Sequence, residues 1–183
     1  MEVTLTNIPG LFILTPKRFG DKRGFFTETF NARRYAELGI SKPFVQDNLS
    51  HSSRGVLRGL HLQNPNSQAK LVTVLHGSVL DVAVDVRVGS PTFGQHVVVE
   101  LSGDTGRQFY ISRGFAHGFV VLSEFADFFY KCDEFYNPKD ELTVRWDDPA
   151  LGIDWQLPDP SLSPRDAQAP LLADVRGLPA YEA

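Results

Sequence analysis

From Leu71 onward the chain is a succession of short apolar runs, each cut within a few residues by Gly, Pro, Asn or Asp. Within Val79–Val88 the valines Val82, Val84 and Val86 alternate with Asp81, Ala83 and Asp85, the period-two pattern of a half-buried strand. Leu71–Leu75, His96–Leu101, Gln108–Ile111, Phe119–Leu122, Phe125–Cys132 and Thr143–Trp146 extend the series. Many short strands at near-regular spacing predict an antiparallel sandwich or barrel, a mainly β fold. Helix signals are scarce. The clearest covers Asn31–Leu38, where Asn31 can cap and Gly39 can stop a helix.

A chain of 183 residues can bury one sizeable core but not two, so one domain over 1–183 is expected. From Asp147 to Ala183 the composition shifts, and six of the twelve prolines fall there. That stretch is too short and too rich in proline to bury a core of its own, so an extended wrapping segment is expected. No apolar run approaches the roughly 20 residues of a membrane span, and Met1–Gly10 lacks a basic segment leading into an apolar one. A cytoplasmic enzyme or binding domain, with no membrane partner, is the expectation. A net charge of −4 argues against a nucleic-acid protein that works through a global basic field. The single cysteine, Cys132, cannot form an internal disulfide, and its apolar strand-like setting predicts a packed thiol rather than a nucleophile.

Three clusters could carry chemistry. Gln46–Lys70 interleaves polar groups with Val56, Leu57, Leu60 and Leu62, and strand periodicity puts His61 and Gln63 on one face. If that face lines a barrel, a histidine, a glutamine and Lys70 converge in one cavity. On spacing alone a hydrogen-bonded structural histidine is the simpler account. In Arg113–Phe119, Gly114 and Gly118 bracket His117, which suggests a turn where backbone and imidazole approach a ligand. A tight hairpin with an incidental histidine fits that spacing equally well. Lys17, Arg18, Lys22 and Arg23 are interleaved with Phe19, Phe25 and Phe26. Such a run can grip phosphate and stack on a base, although on its own a solvated loop is the plainer reading. The five histidines form no His-x-His pair, no HExxH and no Cys/His array, so no metal is expected.

Larger motifs add to this reading. FVQDNLSHSSRGVLRGLHLQ at Phe44–Gln63, KLV at Lys70–Val72, DVAVDVR at Asp81–Arg87, SPTFG at Ser90–Gly94 and GFAHGF at Gly114–Phe119 resemble the dTDP-4-dehydrorhamnose 3,5-epimerase family. So do YKC at Tyr130–Cys132, YNPKDE at Tyr136–Glu141, RWDDPALGIDW at Arg145–Trp155 and LSPRDA at Leu162–Ala167. Each motif alone is weak; in this order and spacing, over Ile8–Ala173, together they are specific.

The resemblance implies a cupin-type antiparallel β-barrel (jelly-roll) with a few short helices and an extended C-terminal segment. It also implies no cofactor, and a homodimer whose N-terminal segments reach the partner's sheet and site. Gly114 and His117 match the Gly-x-x-His part of the second cupin motif, with Ser112 where proline is common. Carried over by position, His61 resembles the catalytic base, Asp166 its orienting carboxylate, Tyr130 the opposite-face acid and Lys70 the cation beside the C4 oxygen. Arg23 and Arg58 resemble diphosphate contacts. Glu28, Gln46, Asp47, Asn48 and His117 resemble further nucleotide-sugar contacts, and Tyr136 an aromatic near the base. Glu141 and Arg165 lie at binding positions, with Arg165 where the family often has lysine. The activity implied is inversion at C3 and C5 of dTDP-4-dehydro-6-deoxy-D-glucose. Inversion at C3 alone, or a catalytically silent nucleotide-sugar-binding cupin, are the competing readings. Inverting a carbon beside a ketone needs a base near neutral pKa, an enolate stabiliser and an acid on the other face, and these residue types supply all three.

Overall fold

The computed structural model describes residues 1–182. In chain order its strands and first helix are β1 (Glu2–Leu5), β2 (Leu11–Thr15), β3 (Arg18–Asp21), β4 (Gly24–Thr27), α1 (Ala32–Ala36), β5 (Gln46–Ser53) and β6 (Leu57–Gln63). Then follow β7 (Lys70–His76), β8 (Ser78–Asp85), β9 (His96–Ser102), β10 (Gln108–Ile111), β11 (Phe115–Val121), β12 (Phe125–Cys132), β13 (Glu141–Thr143) and a short helix α2 (Pro164–Ala167). A six-stranded sheet has the order β1-β2-β10-β7-β12-β5, and a five-stranded sheet the order β13-β6-β11-β8-β9. Every pairing within them is antiparallel. Successive strands from β5 to β8 alternate between the two sheets, β8 and β9 are neighbours in one sheet, and β9 to β13 alternate again. The result is the mainly β, jelly-roll architecture of the cupin type.

The tight joints need glycine. At Gly77, between β7 and β8, φ is +75°, and a Cβ would lie 2.0 Å from the Phe125 carbonyl oxygen. No side chain fits there.

The two sheets close on a core of Val72, Val74, Phe109, Phe119, Val121 and Phe128 with their neighbours. The outer face of the five-stranded sheet is equally apolar. Leu60, Val82, Val84 and Val120 pack there against Leu151, Trp155 and Leu172 of the C-terminal segment. That segment wraps the sheet as expected, with α2 and a 3₁₀ turn at Leu172–Asp174 as its helical interruptions. It makes parallel bridges at Val56–Ser161 and Val88–Ala180.

This wrapping corrects the reading of β8. Its alternation does not separate a buried face from a wet one, because the strand is buried on both faces. The valines lie under the tail, while Asp81 and Asp85 face the barrel interior and are fully buried. The reading of 113–119 also changes. Gly114 sits in a turn with φ +86°, but Gly118 lies inside β11, at an irregularity in its pairing with β6. A Cβ on Gly118 would come 2.8 Å from the Arg58 carbonyl oxygen, so glycine here permits close strand approach.

α1 is capped by the Asn31 side chain, which accepts from the Arg33 and Arg34 amides, and Gly39 follows with φ +87°. Around it Tyr35, Ile40, Leu14 and Leu71 cover part of the six-stranded sheet's outer face. β13 ends at Thr143, three residues short of the predicted run. Beyond it the chain turns outward, and the Trp146 carbonyl accepts the Trp155 indole N–H at 2.9 Å. β1 and β2 fall outside the predicted series, although EVTL and LFILT carry ordinary strand composition.

If the tail is part of the core, Trp155→Ala should cost about 3–5 kcal/mol, the usual range for deleting a buried aromatic. Urea unfolding at constant m-value measures it; a change below about 1 kcal/mol would mean that the tail only lies on the sheet.

Candidate active site

A cavity of about 580 Å³ opens between the sheets. One wall is β6 with the start of α2; the other comes from β5, β7 and β12. His61 projects into it from β6, and Lys70 and Tyr130 from the facing sheet. Of the residues sharing the predicted His61 face, Gln63 does not join them. Its amide donates to the carbonyls of Asn66 and Phe135, and its own carbonyl accepts from the Asn137 N–H, so it ties down a loop.

The His61 partner is set by local chain chemistry. Ser163 caps α2 by accepting from the Asp166 N–H at 3.1 Å, and Pro164 occupies the first turn, where its missing N–H costs nothing. This short helix points Asp166 at the imidazole, with Oδ1 2.6 Å from His61 Nε2. Burial pushes the Asp166 carboxyl up, but hydrogen bonds from His61, Ser163 and the Gly59 N–H outweigh it and hold the group below the ordinary aspartate range. With Nε2–H donating to the carboxylate, Nδ1 is left with its lone pair, the tautomer of a base.

On the opposite wall burial dominates. It pushes the Tyr130 phenol up to about 12, helped by the nearby Cys132 and Glu141, so the hydroxyl keeps its proton at neutral pH. The Lys70 ammonium lies 6.0 Å from the Tyr130 ring centre. Burial lowers its pKa, opposed by the fields of Cys132, Asp81 and Glu141. Among the described residues no carboxylate forms an ion pair with Lys70, which leaves its positive charge available to a ligand. Cys132 is a packed thiol, as expected, pushed up to about 11 mainly by burial.

His117 is also buried in the cavity wall. Its Nε2 lies 3.0 Å from both oxygens of Asp81, and its ring stacks on Phe128. Burial lowers its pKa against the pull of Asp81. Asp81 was absent from the sequence-derived candidates. Its signal was an acidic residue recurring at period two within a valine strand, where a buried carboxylate must find a partner.

Arg58 and Asn48 line the same cavity, and Ser52 accepts from Arg58 Nε at 3.1 Å. At the rim, Arg165 is bound to Glu141 and donates through Nε to Thr143 Oγ1. Tyr136 donates to Glu141 at 2.7 Å, and Gln46 bridges Asn48 and the Tyr136 N–H. Three candidates lie elsewhere in this chain. Asp47 faces outward from β5 in an ion pair with Lys131. Glu28 pairs with Arg34, and Arg23 pairs with Asp21 on the exposed β3–β4 hairpin. The basic-aromatic run is that hairpin, with Phe19 opposite Phe26.

Among the described residues no three His, Cys, Asp or Glu side chains are grouped to hold a metal ion. Nor is any helix there long and apolar enough to cross a membrane.

A jelly-roll barrel holding a His–Asp pair on one wall and a protonated tyrosine with a buried lysine on the other defines an acid–base enzyme of the cupin-like epimerase class. The sequence profile described as dTDP-4-dehydrorhamnose 3,5-epimerase matches residues 5–174, and the chain belongs to that family. The dTDP-4-dehydrorhamnose 3,5-epimerase of Salmonella typhimurium is 53% identical over 175 residues, covering 94% of this chain and 96% of the relative. That of Pseudomonas aeruginosa is 51% identical over 98% of this chain and 100% of its own. The crystal structure of dTDP-6-deoxy-D-glucose-3,5-epimerase from Legionella pneumophila, in complex with dTDP-4-keto-L-rhamnose, superposes with a TM-score of 0.97 at 55% identity. It covers 100% of this chain and 99% of that one.

The Asp166 contact has a pH signature. A carboxyl held below its unfolded value adds stability above about pH 4, and that stability is lost as pH falls through the folded value. Asp166→Asn should therefore destabilise the protein at pH 7 by about 1–3 kcal/mol, with the difference from the parent shrinking below pH 4. Urea midpoints from pH 7 to 3 check this; a pH-independent difference would mean that the carboxylate charge is not what holds the contact.

Proposed function

We propose that this chain is a dTDP-4-dehydrorhamnose 3,5-epimerase, converting dTDP-4-dehydro-6-deoxy-D-glucose to dTDP-4-dehydro-L-rhamnose. The observation that carries the reading is one cavity with the His61–Asp166 pair on one sheet and Tyr130 and Lys70 on the other.

His61 Nδ1 removes the proton from the carbon beside the C4 ketone, and Asp166 stabilises the imidazolium that forms. The electron pair left on carbon delocalises onto the C4 oxygen, where Lys70 supplies positive charge in a poorly hydrated site. Tyr130 then delivers its proton to the opposite face of the carbon, the His61 imidazolium gives its proton up to solvent, and solvent restores the phenol. The same cycle at C3 and at C5 completes the conversion. Each positioned acid or base contributes roughly 10²- to 10⁴-fold. No electrons leave the substrate, so the chemistry calls for no redox cofactor.

Arg58 holds the diphosphate, whose binding energy orients the ring for reaction. Gln46, Asn48, His117, Glu141 and Arg165 complete the nucleotide-sugar contacts of the same chain, with Tyr136 beside the base. Arg23 and Glu28 act in trans, from the arm of a second copy in a homodimer. Asp47 contributes through its backbone, since its side chain turns outward to Lys131. The domain is a single cupin-type unit over 1–183, acting in the cytoplasm.

The test is incubation with dTDP-4-dehydro-6-deoxy-D-glucose in deuterated water, read by NMR of the sugar ring. Deuterium at C3 and C5 of an inverted product is expected, and its loss in His61→Ala with substrate binding retained. Label confined to C3 would replace this reading by a 3-epimerase, and binding without label by a silent cupin. Sedimentation equilibrium should give a dimer; a fully active monomer would remove Arg23 and Glu28 from the site.

A further inference from the structure

Along the inner face of β5 the polar side chains are Gln46, Asn48, Ser50 and Ser52. Three of the four are committed. Gln46 bonds Asn48 and the Tyr136 N–H, Asn48 also reaches Cys132 Sγ, and Ser52 holds Arg58. Ser50 is different: its Oγ is buried and has no hydrogen-bond partner among the described residues. Ser50 nevertheless lines the cavity.

A buried hydroxyl without a partner is unfavourable by about 1–3 kcal/mol, and a serine that keeps one usually has another use for it. The cost of redirecting it is small, because rotation about χ1 between staggered positions breaks no existing bond. Its place is defined by pairing. Asn48 lies opposite Tyr130 and Ser52 opposite Ala126, so Ser50, opposite Phe128, stands between the proton donor and the serine that holds Arg58.

We propose that the Ser50 hydroxyl is a binding group for the nucleotide sugar, turning into the cavity to donate to a phosphoryl oxygen beside Arg58. This rests on the nucleotide-sugar reading above and adds a residue to it. The donor is neutral, so it orients the phosphate where Arg58 supplies the charge. A hydrogen bond to an anion in a dry site is stronger than one between neutral groups. The hydroxyl has no partner among the described residues and gains one in the complex, so its contribution appears on binding.

That asymmetry sets the experiment. Titration calorimetry with dTDP and with thymidine is run on the parent protein, Ser50→Ala and Ser50→Cys, alongside thermal unfolding without ligand. Both variants should unfold at or above the parent midpoint, bind dTDP about tenfold more weakly, or about 1.4 kcal/mol, and bind thymidine unchanged. With the full substrate, KM should rise by a similar factor at nearly constant kcat. Unchanged dTDP affinity in Ser50→Ala overturns the proposal, and so does a loss shared by thymidine. Loss in Ser50→Ala but not in Ser50→Cys would show that volume, not the donor, matters, and also overturns it. If the parent itself fails to bind dTDP, the nucleotide-sugar reading falls first and takes this assignment with it.

Discussion

The five-stranded sheet presents apolar residues on both faces, and the rest of the molecule follows from how the outer one is covered. Leu60, Val82, Val84 and Val120 would be left in water by the strands alone. The C-terminal segment buries them with Leu151, Trp155 and Leu172, at roughly 25 cal/mol for each square ångström of apolar surface removed from water. The same segment carries Ser163, Pro164 and Asp166 across the end of β6. Packing of the tail and placement of the dyad are thus one event, and the carboxylate reaches His61 from 105 residues away in sequence because the hydrophobic face has to be covered.

Covering both faces leaves the barrel interior dry enough for a few polar groups to act strongly, which requires each buried charge to be answered. Asp85 is met by Arg87, Ser90 and Thr92, which together outweigh burial and bring its carboxyl to about 2. Asp81 is met by His117, and Asp166 by His61. Lys70 alone of these interior charges has no carboxylate in contact. The hydrogen-bonded structural histidine, the simpler account of His61 on spacing alone, is half of the answer: His61 is hydrogen-bonded, and that bond fixes the tautomer a base requires.

The strands β7 to β10 and β12 were legible because each is a short apolar run closed by a turn residue. Gln108–Ile111 and Phe125–Cys132 coincide with the observed bounds, whereas β11 begins at Phe115, four residues before the predicted run. α1 was legible through its Asn31 cap. What local pattern could not convey was the second covering layer. Alternation in β8 is the same whether its valine face meets a tail and its acidic face a barrel, or one of them meets water. Similarly, Gly118 looked like a turn because the close approach of β6 that requires glycine there is a tertiary fact. The site residues within one strand could be placed by period, but their union could not. His61 and Lys70 lie on different sheets, and only the ordered set of motifs drew Asp166 and Tyr130 toward them.

Two of the residues that the cavity does not gather have something in common. Arg23 and Glu28 belong to the segment that also exposes Phe19, Phe25 and Phe26, and β1 is exposed along its whole length while pairing with β2 alone. Three exposed phenylalanines on one two-stranded hairpin, Phe19 paired with Phe26 on one face and Phe25 on the other, are apolar surface that a monomer has little reason to keep. An isolated hairpin is also barely stable by itself. The proposed homodimer answers both points at once. An arm that buries its phenylalanines on a second copy brings Arg23 and Glu28 with it, so the force that seats the arm is separate from the charges it delivers. Under that proposal substrate binding would depend on assembly through hydrophobic contact, while the proton transfers proposed for His61 and Tyr130 would stay within one chain.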